Sequence, residues 1–191
     1  MKSDLSAIEA ALLIDRLDRL ARRGASIEGL NPAQWEALRF VARANRFSRT
    51  PAALADYLGS TRGTVSQTLI ALEQKGFVSR TQSTRDKRSI CLELTPQGEI
   101  ALKDDPLLAL ARDLASASSD IRNLVETLRA ALHRAVARND GRAFGACHSC
   151  RHFQRDVGSS SHAPHRCGLL DEPLSETDSR AICVEQEPAH A

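Results

Sequence analysis

LADYLGSTRGTVSQTLIALEQKGFVSR occupies residues 54–80, and DKRSICLELTPQG follows at 86–98. Just upstream, Thr50-Pro51 sets a capping hydroxyl before a proline at the first helical position, where its missing N–H costs nothing. This predicts a short helix, PAALADYL, closed by Gly59. Ser60 then caps a longer helix over TRGTVSQTLIALEQK, which Gly76 ends. Val65, Leu69 and Leu72 fall on one apolar face, while Thr61, Arg62, Thr64, Ser66 and Gln67 make a polar face rich in hydrogen-bonding groups. FVSR and SICLEL then alternate, joined by a loop whose basic residues outnumber its one acid, as in a β-hairpin.

Two helices across a tight turn, followed by a basic hairpin, outline a winged helix-turn-helix: a mainly α fold with a small β-hairpin wing. Double-stranded DNA suits this chemistry. Short polar side chains on a helix fit the major groove, where Arg62, Thr64, Ser66 and Gln67 are the candidates for base edges. Ser60, Arg85 and Lys87 are candidates for phosphate contacts, and Arg80 is either a contact or a structural residue. The plainer alternative is a small helical domain with a solvated charged loop. Order, spacing and the basic hairpin together favour DNA.

Outward from this unit the chain stays helical. Leu5, Ile8, Leu12, Leu13, Leu17 and Leu20 recur at three- and four-residue steps and predict an amphipathic helix ending near Gly24. Asn31-Pro32 opens another through Trp35, Leu38 and Val41, and Thr95-Pro96 opens one that KDDP interrupts. Residues 107–138 continue as helix with a break near 116–120. NDGRAFG (139–145) marks a boundary between a body, 1–140, and a tail, 141–191, in which seven acids face five bases. No apolar run reaches the roughly 18–20 residues that cross a bilayer, and MKSDLSAIEA does not read as a signal peptide. The expected setting is cytoplasmic, without membrane contact. There, clustered cysteines favour metal or redox chemistry over disulfides. No phosphate loop, nucleophile–base pair or paired carboxylate points to an enzyme, and His133 reads as a helix-surface residue.

DKRSICLELTPQG resembles the wing signature of the MarR-type winged-helix regulators: Asp-x-Arg, an alternating strand, then Leu-Thr-x-x-Gly. The resemblance extends over about residues 5–139. It implies that Asp86 orients Arg88 into the minor groove while the helix from Thr61 reads the major groove. It also implies that the first and last helices form homodimerisation arms, setting two heads on a pseudo-palindromic operator. Pro106 departs from the continuous helix expected there, because proline removes a backbone hydrogen bond and costs about 3 kcal/mol inside a helix.

Of five cysteines, four lie in the tail as Cys147, Cys150, Cys167 and Cys183, spaced C-x2-C-x16-C-x15-C. A C-x-x-C turn lets two thiolates converge, and two more complete a four-ligand metal set. The appendage is otherwise too small to bury a core without such a staple. Zinc sites usually pair two knuckles, whereas the second pair here is split, which favours an iron–sulfur cluster over zinc. His148, His152, His162 and His165 complicate the count, since His165 with Cys167 offers a zinc alternative. A redox dithiol at Cys147 and Cys150, or a disordered tail with incidental cysteines, are the other readings. Phe153, Leu169, Leu170 and Leu174 would shield the centre or dock it on the arms. Cys91, alone in the wing strand, reads as a small strand residue.

The sequence thus points to a homodimeric regulator of the repressor kind, whose four-cysteine centre is expected to sense iron, redox state or metal. The alternatives are a regulator answering to a small-molecule effector with purely structural zinc and, more remotely, a redox protein or enzyme. Arg88→Ala is expected to weaken operator binding about tenfold or more at fixed salt. Unchanged affinity in a titration would remove the wing assignment.

Overall fold

A computed structural model describes residues 2–23, 29–82, 89–158 and 160–189. Arg85, Asp86, Lys87 and Arg88 of the wing loop lie outside these described residues. Helix α1 (Lys2–Arg23) precedes α2 (Pro32–Arg43), which opens on a reciprocal cap. Asn31 Oδ1 accepts from the Gln34 amide at 2.9 Å, and Gln34 Oε1 accepts from the Asn31 amide at 3.1 Å. Helix α3 (Pro51–Leu58) is capped by Thr50 and closes on Gly59 at φ 58°, a left-handed conformation open to glycine.

Helix α4 (Arg62–Gln74) corrects one expectation. Its cap is Thr61, not Ser60: Thr61 Oγ1 accepts from the Thr64 amide at 3.2 Å. Ser60 still belongs to the turn that Gly59 makes, and its own amide donates back to the Ala55 carbonyl. Strands β1 (Val78–Gln82) and β2 (Ile90–Leu94) then pair antiparallel, with Val78 opposite Leu94 and Gln82 opposite Ile90.

Helix α5 (Pro96–Ala101), capped by Thr95, runs into a 3-10 turn at Leu102–Asp104, followed by α6 (Leu107–Ala117) and α7 (Ile121–Arg138). Pro106 ends the helix rather than kinking it, because Asp105 before it takes the extended ψ of 122° that a following proline imposes. The break is pinned. Asp105 is 8 % exposed and accepts from Arg39 Nε at 2.7 Å and Arg39 Nη2 at 2.6 Å, and from the Leu107 amide at 2.8 Å.

The core lies where α2, α3, α4 and the hairpin meet. Trp35, Leu38 and Val41 of α2 pack with Leu54 of α3, Val65, Leu69 and Leu72 of α4, and Phe77, Val78 and Leu92 around the hairpin. Neither α6 nor α7 buries a residue. Instead Leu12 and Leu132 are each 63 % exposed, among a series of apolar side chains along α1 and α7.

The tail forms small sheets: β3 (Gly145–Ala146) with β7 (Ile182–Cys183), and β4 (Phe153–Gln154), β5 (His165–Cys167) and β6 (Glu172–Leu174) in that order. Helix α8 (Glu176–Arg180) sits between β6 and β7. The tail folds back onto the body. Phe144 stacks edge-on against Phe40 and Tyr57, and Ile182 and Val184 join the body's core. Among the described residues, no helix is long and apolar enough to cross a membrane.

Gly98 sits where backbone meets backbone. A Cβ there would lie 2.2 Å from the Phe77 carbonyl oxygen, which already accepts from the Thr95 amide. Gly98→Ala is therefore expected to lower stability by about 1–3 kcal/mol through overpacking, read as a fall in urea midpoint without a change in slope.

Candidate functional site

Two surfaces carry chemistry: the exposed face of α4 beside the hairpin, and the thiol group of the tail. On α4, Val65, Leu69 and Leu72 are buried, which fixes the helix and turns Arg62, Thr64, Ser66 and Gln67 to solvent. Thr61 is exposed as well, but its hydroxyl is engaged in capping and lies 2.9 Å from that of Thr64. Ser60 is half-buried at the head of the helix. A groove lined by Thr50, Pro51, Arg62, Ser89 and Ile90 separates the start of α3 from the base of the wing. Its walls bring the N-terminal turns of two capped helices, which carry partial positive charge, to one edge of the molecule.

Arg80 is structural. It shares a strand face with Val78, opposite Leu92, so its stem covers the core while its head pairs with Glu73 on α4, with Nε at 2.9 Å from the carboxylate. That hydrogen bond holds the Glu73 carboxyl below its ordinary range. Cys91 lies on the other strand face, opposite Thr81, and burial pushes its thiol up, away from thiolate reactivity.

In the tail, the four predicted cysteines come together. Cys147 opens a 3-10 turn, Cys150 ends it, Cys167 closes β5 and Cys183 closes β7. None is in a disulfide, and all four line one pocket with Phe153, Leu169 and Leu174. Among the described residues, no three His, Cys, Asp or Glu groups converge closely enough to hold a single ion. The thiols surround a pocket instead of meeting at a point.

Cys147 and Cys183 are both buried on the pocket wall. The neighbouring Cys147 thiol, with the Asn45 side chain, the Glu185 amide and the Ser48 side chain, outweighs burial and holds Cys183 below the usual thiol range. The proximity of Cys183 and burial push Cys147 up. Asn45 Nδ2 donates to Cys147 Sγ at 3.3 Å, and the Glu187 amide donates to Cys150 Sγ at 3.5 Å.

His165 does not join Cys167 at the pocket. It is 2 % exposed, its Nδ1 accepts from the Asp156 amide at 3.1 Å, and its Nε2 lies 3.1 Å from Glu176 Oε1. With both ring nitrogens engaged and Phe153 packed on the ring, His165 supports the tail's fold. His152, by contrast, lines the pocket and lies 3.3 Å from Glu187.

Of the tail's apolar residues, Phe153, Leu169 and Leu174 shield the thiol pocket, and the tail docks on the turn between α2 and α3. The Asn45 amide donates to the Ile182 carbonyl at 2.8 Å, and the Val184 amide donates to Ser48 Oγ at 2.9 Å. Asn45 Oδ1 accepts from the Ser48 amide at 2.9 Å and the Phe47 amide at 3.2 Å. Arg46 reaches Asp178 at 2.6 Å. Sequence reading passed over NRFSRT (45–50) except for its last residue. Its only clue was two small polar residues in a six-residue turn, a pattern that loops share widely.

Residues 28–89 match the family model described as MarR family. Two curated proteins are similar over this region. The HTH-type transcriptional repressor YetL of Bacillus subtilis (strain 168) is 35 % identical over 75 residues, covering 39 % of this chain and 45 % of that protein. The putative transcriptional regulatory protein for the hcr operon of Thauera aromatica is 32 % identical over 84 residues, covering 44 % and 49 %. The chain thus spans about half the length of the curated relatives it matches.

Among solved structures, the transcriptional regulator BldR from Sulfolobus solfataricus superposes with a TM-score of 0.54 at 23 % identity, over 70 % of this chain and 95 % of that one. A MarR transcriptional regulator from Methanosarcina mazei gives 0.56 at 21 %, over 67 % and 96 %. These likenesses establish the winged-helix fold.

Asn45 belongs to the matched segment and holds the tail that lies beyond it. Asn45→Ala is expected to cost about 1–3 kcal/mol, since it removes the side-chain acceptor of the Phe47 amide, one of the two acceptors of the Ser48 amide and a thiol contact. Thermal unfolding measures the loss, and limited proteolysis should show cleavage near 140–145 before the body is cut.

Proposed function

We propose that this protein, whose winged-helix body is of the MarR family, is a DNA-binding transcriptional regulator that acts as a homodimer on a pseudo-palindromic operator. The carrying observation is α4: a capped helix locked to the core through Val65, Leu69 and Leu72, with Arg62, Thr64, Ser66 and Gln67 facing outward beside a hairpin. In a major groove, Arg62 and Gln67 have the reach and donor geometry for base edges, while Thr64 and Ser66 make shorter contacts. Ser60 and the loop residues Arg85 and Lys87 supply phosphate contacts. Arg88, held by Asp86, enters the minor groove.

Dimerisation accounts for the apolar faces of α1 and α7. Leu5, Ile8, Leu12 and Leu20 on α1, with Val125, Leu128 and Leu132 on α7, present more apolar side chains to solvent than a stable monomer ordinarily leaves uncovered. A second copy of the same chain, meeting them about a two-fold axis, buries both faces at once. The similarity to a named repressor supports repression, by occupancy of the operator. The regulatory input in this reading is the four-thiol centre.

A small-molecule effector is the alternative input. The cleft between α1, α2 and the start of α6, where it would bind, is crossed by the Arg22–Glu36 pair at 2.8 Å and bordered by Arg39–Asp105. Those charges favour a polar effector.

Replacing Leu12 and Leu132 together by Asp is expected to give a folded monomer in sedimentation and to lower operator affinity roughly a hundredfold, because two tethered heads bind far more tightly than one. A dimer that persists, or unchanged affinity, would reject this assembly. Gln67→Ala should relax base preference at one operator position while leaving the salt dependence of binding as it was.

A further inference from the structure

We propose that the four thiolates of Cys147, Cys150, Cys167 and Cys183 hold an iron–sulfur cluster, and that the cluster fixes the turn from which α3 and the wing are hung. The four sulfurs come from three separate segments of a tail that has almost no core of its own. Its apolar interior consists of Leu174 and the buried thiols Cys147 and Cys183, flanked by the half-buried Phe47, Phe153 and Cys167. Cysteine is the main content of that interior, yet the thiols are free of disulfides. A segment this small holds its shape when something bridges its centre.

The pocket favours a cluster over one ion. A structural zinc needs its donors at about 2.0–2.3 Å around a point, and the described donors do not gather that way. They ring a cavity walled by Phe153, Leu169 and Leu174, which keeps water from a cluster. The N–H donors of Asn45 and Glu187 point at two of the sulfurs, and such bonds offset the negative charge that a four-thiolate cluster carries. His165, the one buried imidazole that would have argued for zinc, is committed elsewhere.

The centre is also wired to the reading head. Asn45 links Cys147 to the turn, and its side-chain oxygen organises the Phe47 and Ser48 amides. Ser48 takes the Val184 amide, next to Cys183. At the next residue, the Arg49 carbonyl accepts from the Leu92 amide at 2.7 Å, which ties the same turn to the wing strand β2. Loss of the cluster leaves this turn held by fewer bonds, and with it the start of α3 and the base of the wing. The consequence for operator affinity rests on the DNA-binding reading above. The cluster itself does not.

The test uses the full chain, purified without oxygen and reconstituted with ferrous iron and sulfide. The expected protein is brown, absorbs broadly near 400 nm, bleaches on reduction, and carries about four iron and four sulfide per chain. Cys91→Ser should keep the colour and Cys167→Ser should lose it. A colourless protein after reconstitution, or one carrying stoichiometric zinc alone, overturns the proposal without reference to any variant. For the coupling, hydrogen exchange of residues 44–49 and of Leu92 should slow about tenfold in the loaded wild type relative to the unloaded wild type. Equal exchange overturns that half. A brown protein that binds no DNA, loaded or unloaded, would leave the cluster standing and reject the regulator.

Discussion

A single buried carboxamide, that of Asn45, joins the parts of this molecule. Its oxygen closes a turn by taking two amide protons, and its nitrogen reaches a thiol more than a hundred residues away in sequence. Buried at 2 % exposure, it has no water to fall back on, so each of those bonds must be present or the group is destabilising. The turn it shapes delivers Thr50 to cap α3, and α3 in turn presents α4. The orientation of α4 therefore depends on a polar residue that lies outside both α4 and the hairpin.

Much of the body was legible because helix ends are written in local chemistry. Asn31-Pro32, Thr50-Pro51 and Thr95-Pro96 each mark the cap and first residue of a helix, and Gly59 marks an end. Pro106 announced a break, and the structure placed one at Asp105. Ser60 failed for an instructive reason. Two hydroxyl residues in succession both qualify as caps, and the choice between them is set by how much chain the Gly59 turn consumes, which no local pattern encodes.

The thiol site was half legible. Spacing and scarcity singled out Cys147, Cys150, Cys167 and Cys183, and they do share a pocket. Where that pocket sits was not legible, since the docking runs through backbone groups at Ile182 and Val184 and through side chains in an ordinary-looking turn. Main-chain partners leave no residue-type signature. His165 misled for a related reason: its neighbour Cys167 suggested a ligand pair, whereas the imidazole folds the tail through Asp156 and Glu176.

Helix α2 gains a mechanical meaning from where its contacts fall. The guanidinium of Arg39 rivets its outer side to the Asp105 joint between head and arm, while the chain leaving its far end carries Asn45. At about 1.5 Å per residue the helix is a strut some 18 Å long. A strut pinned at one flank and loaded at its tip converts a small displacement at the tip into rotation about the pin. Strain arising at the sulfur pocket would then emerge as a change in the tilt of α3 and α4 relative to the helices beyond Asp105, as a lever turns about its fulcrum.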